Sequence, residues 1–291
     1  MNTIENLFSP MQSFAGLRQP HCDLATAQAV ILPVPYDGTT EWHSGSREAP
    51  RTIIDASRYL ELYDVELDRE IFHSGIHTLP ELEPVILNPE AMTERVMQVS
   101  RLVINQSKLI VTIGGEHSLS LGPVKALKEQ YPGLSVLQLD AHADLRDTYQ
   151  GTPYSHACIM RRLIEHAPIT QVGIRSLCIE EKDFIEQNKL KPFYCQETSG
   201  FPVEQIVDTL SDTVYVTIDL DVFDPSIMAA VATPEPGGLQ WHETMGLLKA
   251  VAAHKKIVGF DVMELCPSQG PAACAYTAAK LIYKLIGYIT Q

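Results

Sequence analysis

Residues 134–144 read LSVLQLDAHAD: a continuous apolar run that ends in Asp140, His142 and Asp144, two residues apart. The first half, Leu134–Leu139, is the pattern of a strand buried on both faces, where no polar side alternates with an apolar one. Five further runs share that character: Ala29–Val34, Leu109–Ile113, Ile169–Ile174, Val214–Leu220 and Ile257–Val262. Between them, Pro89–Gln106, Ser120–Gln130, Glu180–Asn188, Pro202–Thr209, Trp241–Ala253 and Ala272–Ile289 have helical character. Buried strands alternating with helices predict an α/β fold of three layers around a parallel sheet. No repeat, low-complexity tract or linker divides the chain, so a single domain over residues 1–291 is expected.

In such sheets the working groups sit just past the carboxyl ends of the strands. After Leu109–Ile113 comes GGEHS (114–118), with His117; after Leu134–Leu139 comes DAHAD. Val214–Leu220 carries Asp219 and leads to Asp221, and Ile257–Val262 leads to Glu264. In an extended chain, residues two apart share a side, which would align Asp140, His142 and Asp144, and likewise Asp219 with Asp221. Four carboxylates converging in a water-poor cleft repel one another, and Arg146 is the one cation nearby in sequence. Divalent metal is the natural compensation. Two imidazoles and four carboxylates without a thiolate suit Mn²⁺, with Fe²⁺, Co²⁺ or Zn²⁺ as alternatives. Six ligands are enough for two ions, and a metal pair shares a hydroxide as nucleophile at neutral pH.

Composition bounds the partners. Among 291 residues, 45% are hydrophobic, enough for a sizeable core, and 36 acidic against 22 basic residues give a formal charge of −14. That balance disfavours nucleic acid and anionic membranes as partners, because both demand clustered basic residues. No apolar window reaches the length of a membrane helix. MNTIENLFSPMQSF lacks the basic start and apolar stretch of a leader. The six cysteines (22, 158, 178, 195, 266, 274) follow no regular spacing, as expected of reduced thiols in a cytoplasmic protein.

The ordered motifs GGEHS (114–118), DAHADLRD (140–147), YSHAC (154–158), DLDVFDP (219–225) and DVMELCPS (261–268) resemble the ureohydrolase family, the arginases and agmatinases, most of all the agmatinases. The loop DGTTEWHSGSREAP (37–50) is similar to the family's glycine-containing loop after the first strand. The resemblance spans roughly residues 33–288. It implies a three-layer α/β/α sandwich around a mostly parallel eight-stranded sheet, assembled as a homo-oligomer, a trimer or hexamer. It implies two Mn²⁺ per subunit, with His117 and Asp144 on one ion, His142 and Asp221 mainly on the other, and Asp140 and Asp219 bridging. The implied reaction is hydrolysis of a guanidinium group to urea and an amine. Glu264 would bind the guanidinium nitrogens, Asp144 would hydrogen-bond the tetrahedral intermediate, and His156 would contact substrate and deliver the proton to the leaving amine.

The loop Leu145–Ser155 lacks the Asn and Ser residues with which arginases hold the amino-acid end of arginine. It resembles agmatinases instead, and the cation agmatine, giving putrescine and urea in polyamine biosynthesis, suits the acidic chain. N1-aminopropylagmatine, leading to spermidine, is the alternative, and formimidoylglutamate a more distant one because Arg146 could suit a carboxylate. A one-zinc deacetylase of related fold, or a metal-binding scaffold without activity, would spare part of the ligand set. Trp42 and His43 are candidates for the pocket rim, Glu235 for a stiff turn, and His73 and His77 for loop or strand residues outside any site.

Overall fold

A computed structural model describes residues 12–195 and 202–290. The N-terminal stretch considered above for a leader lies, through Met11, outside the described residues. In chain order the elements are β1 (Ala29–Val34), α1 (Ala49–Ser57), β2 (Tyr63–Asp64), β3 (Arg69–Glu70), β4 (Ile76–Thr78), α2 (Pro89–Ile104), β5 (Leu109–Gly114), α3 (Leu121–Gln130) and β6 (Ser135–Leu139). Then come α4 (Ile159–Leu163), β7 (Ile169–Ile174), α5 (Ile179–Gln187), β8 (Phe193–Tyr194), α6 (Val203–Thr209), β9 (Thr213–Asp219), α7 (Trp241–His254), β10 (Lys256–Met263) and α8 (Ala273–Ile289).

One sheet of eight strands runs β4-β1-β5-β10-β9-β6-β7-β8, and every pairing in it is parallel. β2 and β3 pair separately as an antiparallel hairpin. The six runs expected from sequence are the six inner strands, and β1, β5 and β6 are buried at every position. Helices α1, α6, α7 and α8 cover one face, where Ile53, Ile206, Leu248 and Ile282 join Val111, Val216 and Phe260 in one apolar cluster. Helices α2–α5 cover the other, with Val96, Val124, Met160 and Ile185 packed against Leu32, Ile110 and Tyr215. The three-layer α/β/α sandwich is therefore the observed architecture.

The differences lie at the periphery. α1 begins in the last two residues of the stretch 37–50 read as a loop and runs on where no element is expected; Pro50 occupies its first turn, where a missing N–H costs nothing, and Ile53, Ile54 and Ser57 turn inward. The edge strands β4 and β8 have three and two residues, too short for an apolar run to announce them. Among the described residues no helix is long and apolar enough to cross a membrane.

Candidate active site

The four innermost strands, β5, β10, β9 and β6, deliver the predicted residues to one end of the sheet. Past β5 the chain must clear the carbonyl of Tyr36: a Cβ at Gly115 would lie 1.9 Å from that oxygen, so only glycine fits there. His117 follows, at the start of a short 3-10 turn. The extended alternation expected for the two aspartate motifs does not hold. β6 stops at Leu139, Asp144 lies in the left-handed region at φ 54°, and Asp221 sits in a 3-10 turn. The cause is local: the Asp140 carboxylate accepts the His142 N–H at 2.6 Å, and the Asp219 carboxylate accepts the Asp221 N–H at 3.0 Å. Such Asx turns curl the chain two residues on. Curled or not, all six predicted ligands converge.

Nδ1 of His117 lies 3.0 Å from Asp140 Oδ2 and 3.2 Å from Oδ2 of both Asp144 and Asp219, yet this buried nitrogen has no hydrogen-bond partner. The ring is oriented from behind. Its Nε2 is 2.8 Å from Thr217 Oγ1, which donates to Asp261 Oδ1 at 2.7 Å, while Tyr215 donates to Asp261 Oδ2 at 2.7 Å. With the Thr217 proton committed to Asp261, Nε2–H of His117 donates to Thr217, and the Nδ1 lone pair of the neutral ring faces the carboxylates. Nδ1 of His142 is 2.7 Å from Asp221 Oδ2, and Gln138 donates to Asp140 Oδ2 at 2.7 Å. Two sets of ligand atoms result, His117–Asp140–Asp219 and Asp140–His142–Asp221, each within 4.8 Å and sharing Asp140.

Charge is unbalanced here. Among the described residues, no Lys or Arg forms an ion pair with any of the four aspartates; Arg175 donates to the Asp221 backbone carbonyl at 2.7 Å. Burial, and then Asp144, Asp221 and Asp219, push Asp140 well above the carboxylate range, and burial with Asp221 does the same to Asp219. Burial disfavours a charged imidazole, but the aspartates outweigh it: His117 rises well above its ordinary value and His142 to about 11. Burial raises Asp221 too, yet His142 overrides it and holds that carboxyl at about 2. The orphaned Nδ1 and the all N/O donor set fit a divalent cation, which supplies the positive charge that protons on the imidazoles otherwise provide.

Glu264 enters beside this cluster at φ 65°, its own N–H bound to the Gly115 carbonyl at 2.8 Å and its Oε1 accepting the His117 N–H at 2.6 Å. Burial, then Glu116, raise its carboxyl well above the usual range. His156 stands in the same pocket wall, its pKa lowered by burial. Trp42, Glu41, Tyr149 and Arg146 also line the pocket. Tyr149 hydrogen-bonds Glu41, and the Arg146 guanidinium lies 4.9 Å from the Tyr149 ring centre. Asp147, the residue after Arg146, pairs with Arg162 at 2.7 Å. His43 packs on Trp42, ring centres 4.3 Å apart. Glu235 approaches His142 Nε2 at 3.9 Å, and its carbonyl accepts from Arg175 at 2.8 Å. Cys158 and Cys266 are buried thiols with pKa values pushed up by that burial. His73 closes a 3-10 turn and His77 lies in β4, bound to the Cys22 carbonyl, both outside the pocket.

Sequence reasoning missed Thr217 and Asp261, which orient His117, and Thr39 and Glu116. The available signal was a lone polar residue inside an apolar strand: Thr217 in VYVTIDL, Asp261 in IVGFDV.

The family model described as Arginase family matches residues 27–287. The N(1)-aminopropylagmatine ureohydrolase of Synechocystis sp. is 37% identical over 274 residues, covering 91% of this chain and 90% of that protein. The agmatinase of Pyrococcus horikoshii is 34% identical, covering 92% and 94%. The crystal structure of agmatine ureohydrolase of Thermoplasma volcanium superposes with a TM-score of 0.87 at 29% identity, over 98% of this chain and 96% of that one. A family match over nearly the whole chain, and relatives above 30% identity along nine-tenths of it, place the chain in the arginase family, as an enzyme of its ureohydrolase kind.

Proposed function

We propose that the chain hydrolyses the guanidinium group of a guanidino-amine, with two Mn²⁺ held by His117, Asp140, His142, Asp144, Asp219 and Asp221. The observation that carries this reading is the buried His117 Nδ1, aimed by Thr217 and Asp261 into three carboxylates and left without a hydrogen-bond partner. When bound, the ions supply an activated water at neutral pH, which a delocalised guanidinium carbon requires. The protein does the rest. Glu264 takes the guanidinium nitrogens in charge-assisted hydrogen bonds, and the substrate cation in turn favours the carboxylate over its protonated form. That pairing fixes the carbon over the cluster. Asp144 accepts a hydrogen bond as the carbon becomes tetrahedral, and His156 gives a proton to the departing nitrogen. Guanidinium plus water yields urea plus an alkylammonium, so charge balances without another reactant.

Glu41, Trp42 and Tyr149 in the pocket lining offer a distal ammonium an anion and aromatic rings. Agmatine, yielding putrescine in polyamine biosynthesis, is the substrate the sequence favours. N1-aminopropylagmatine, yielding spermidine, is favoured by the relatives: those at 37% and 36% identity carry that name, ahead of the agmatinase at 34%. Urea release by the manganese-loaded protein from both amines and arginine, with formamide release from formimidoylglutamate, tests both readings. Turnover of either amine upholds the reaction, and the larger kcat/KM assigns the substrate; silence on both overturns the substrate class. Assembly as a homo-oligomer belongs to the same proposal and is read by sedimentation equilibrium.

A further inference from the structure

The loop after β1 reaches the pocket because Asp37 closes it: its unexposed carboxylate accepts the Gly45 N–H at 2.8 Å and pairs with the Arg47 guanidinium. Thr39, near the start of that loop, joins Glu116, just past β5, to His156, which opens the 3-10 turn before α4. Its N–H donates to Glu116 Oε2 at 2.6 Å and its hydroxyl donates to Glu116 Oε1 at 2.8 Å. The same hydroxyl oxygen lies 3.1 Å from both the backbone nitrogen and Nδ1 of His156. Glu116 is fully buried and also receives the Ser118 hydroxyl, so one N–H and two hydroxyls converge on its two oxygens, an arrangement that favours the carboxylate as acceptor.

We infer that Thr39, anchored by Glu116, is a positioning residue that fixes His156 in its Nδ1–H form and leaves Nε2 as the atom that carries the transferred proton. A threonine hydroxyl has one proton. With that proton given to Glu116, its oxygen can only accept, so the ring nitrogen facing it must be N–H. The other contact to Nδ1, Ser155 Oγ at 3.4 Å, is longer. Among the described residues no protein partner is found for Nε2, which is free to take up a proton and pass it to a departing amine. The inference rests on the reading of His156 as proton donor.

Steady-state kinetics of the manganese-loaded enzyme test it with four single variants and two doubles. Thr39→Val keeps the shape and loses the hydroxyl. Glu116→Gln keeps the shape and turns one acceptor into a donor, which frees the threonine proton for Nδ1 and reverses the tautomer. Each is expected to lower kcat about 10- to 100-fold, part of the roughly 10²–10⁴ that general acid–base catalysis contributes, with KM nearly unchanged. Thr39→Ser is expected to restore kcat to within about threefold of the native enzyme. Added to His156→Asn, neither Thr39→Val nor Glu116→Gln should slow the enzyme by more than about twofold further. Native kcat in Thr39→Val while His156→Asn is slow overturns the inference and spares the role of His156. So does a multiplicative loss in the doubles, or a change in KM alone. Native kcat in His156→Asn overturns the role of His156 and the inference with it.

Discussion

Two groups of carboxylates in this molecule, each with a buried aspartate at its centre, meet opposite fates. At the carboxyl edge of the sheet, Asp140, Asp144, Asp219 and Asp221 face one another, and among the described residues no lysine or arginine forms an ion pair with them. At the β2–β3 hairpin, Asp64 is equally buried, but Lys284 of α8 donates to its two oxygens at 3.1 and 2.9 Å. Glu66 beside it receives Lys284 and Lys249, both at 2.8 Å, and the Tyr288 hydroxyl at 2.9 Å. Lys249 and Lys284 hold Glu66 at about 2; burial raises Asp64, but Lys284 and backbone N–H groups outweigh it and keep that carboxyl below its usual value. Asp140 and Asp219 move the other way. A buried acid whose counter-charge is built into the chain serves the fold; one whose counter-charge is missing is kept for something the chain binds.

Four experiments press on that contrast. The largest effect is expected from Asp219→Asn, which keeps the acceptor for the Asp221 N–H and removes one negative charge. Urea release should fall by more than the roughly 10- to 100-fold typical of an outer-sphere partner. The chelator-stripped variant, in turn, should be more stable than the stripped parent by about 1–2 kcal/mol, because a buried uncompensated charge is gone. If it unfolds more easily instead, the two clusters are alike and the comparison breaks. Next is Lys284→Met, which strands Asp64. Chemical denaturation should show a loss of roughly 3 kcal/mol, at the low end for a broken buried pair, since Lys280 stands 3.9 Å from Asp64. Activity per folded molecule should not change.

Third, Thr217→Val removes the hydroxyl that orients His117. Metal affinity, read by competition with a chelator, should weaken about 10-fold or more, with little change in unfolding free energy of the stripped protein. The smallest effect is in pH. Asp64 and Glu66 have depressed native pKa values, so their contribution is complete above the unfolded values near 4 and is lost as pH falls toward 2. Melting temperature should therefore drop more steeply between about pH 4 and pH 2 in the parent than in Lys284→Met. Equal slopes would show that Lys284 does not hold these acids down.

The same contrast explains what was legible in the sequence. β1 and β7 begin and end at the residues their apolar runs predict, because a strand buried on both faces writes its whole length in hydrophobic letters. The site was legible for a related reason: the fold class says where strands end, and charged residues just past those ends stand out. Asp64 and Lys284, 220 residues apart, carry no such mark. Thr217 and Asp261 show only as polar letters inside apolar runs, and their meeting depends on β9 and β10 lying side by side. Partners made by strand order are invisible until the order is known. The curl at Asp140 was hidden too, since a carboxylate that captures its own chain's N–H looks, in sequence, like one still extended.

The position of β10 has a consequence for synthesis. It is the last strand made, yet it lies between β5 and β9 and pairs with both. Until residues 256–263 have left the ribosome and inserted, no strand pairing joins β5, which leads to His117, to β9 and β6, which lead to the aspartates. In an unfinished chain the sheet that aligns the two parts of the site is therefore interrupted at its centre, and it closes only when β10 is in place.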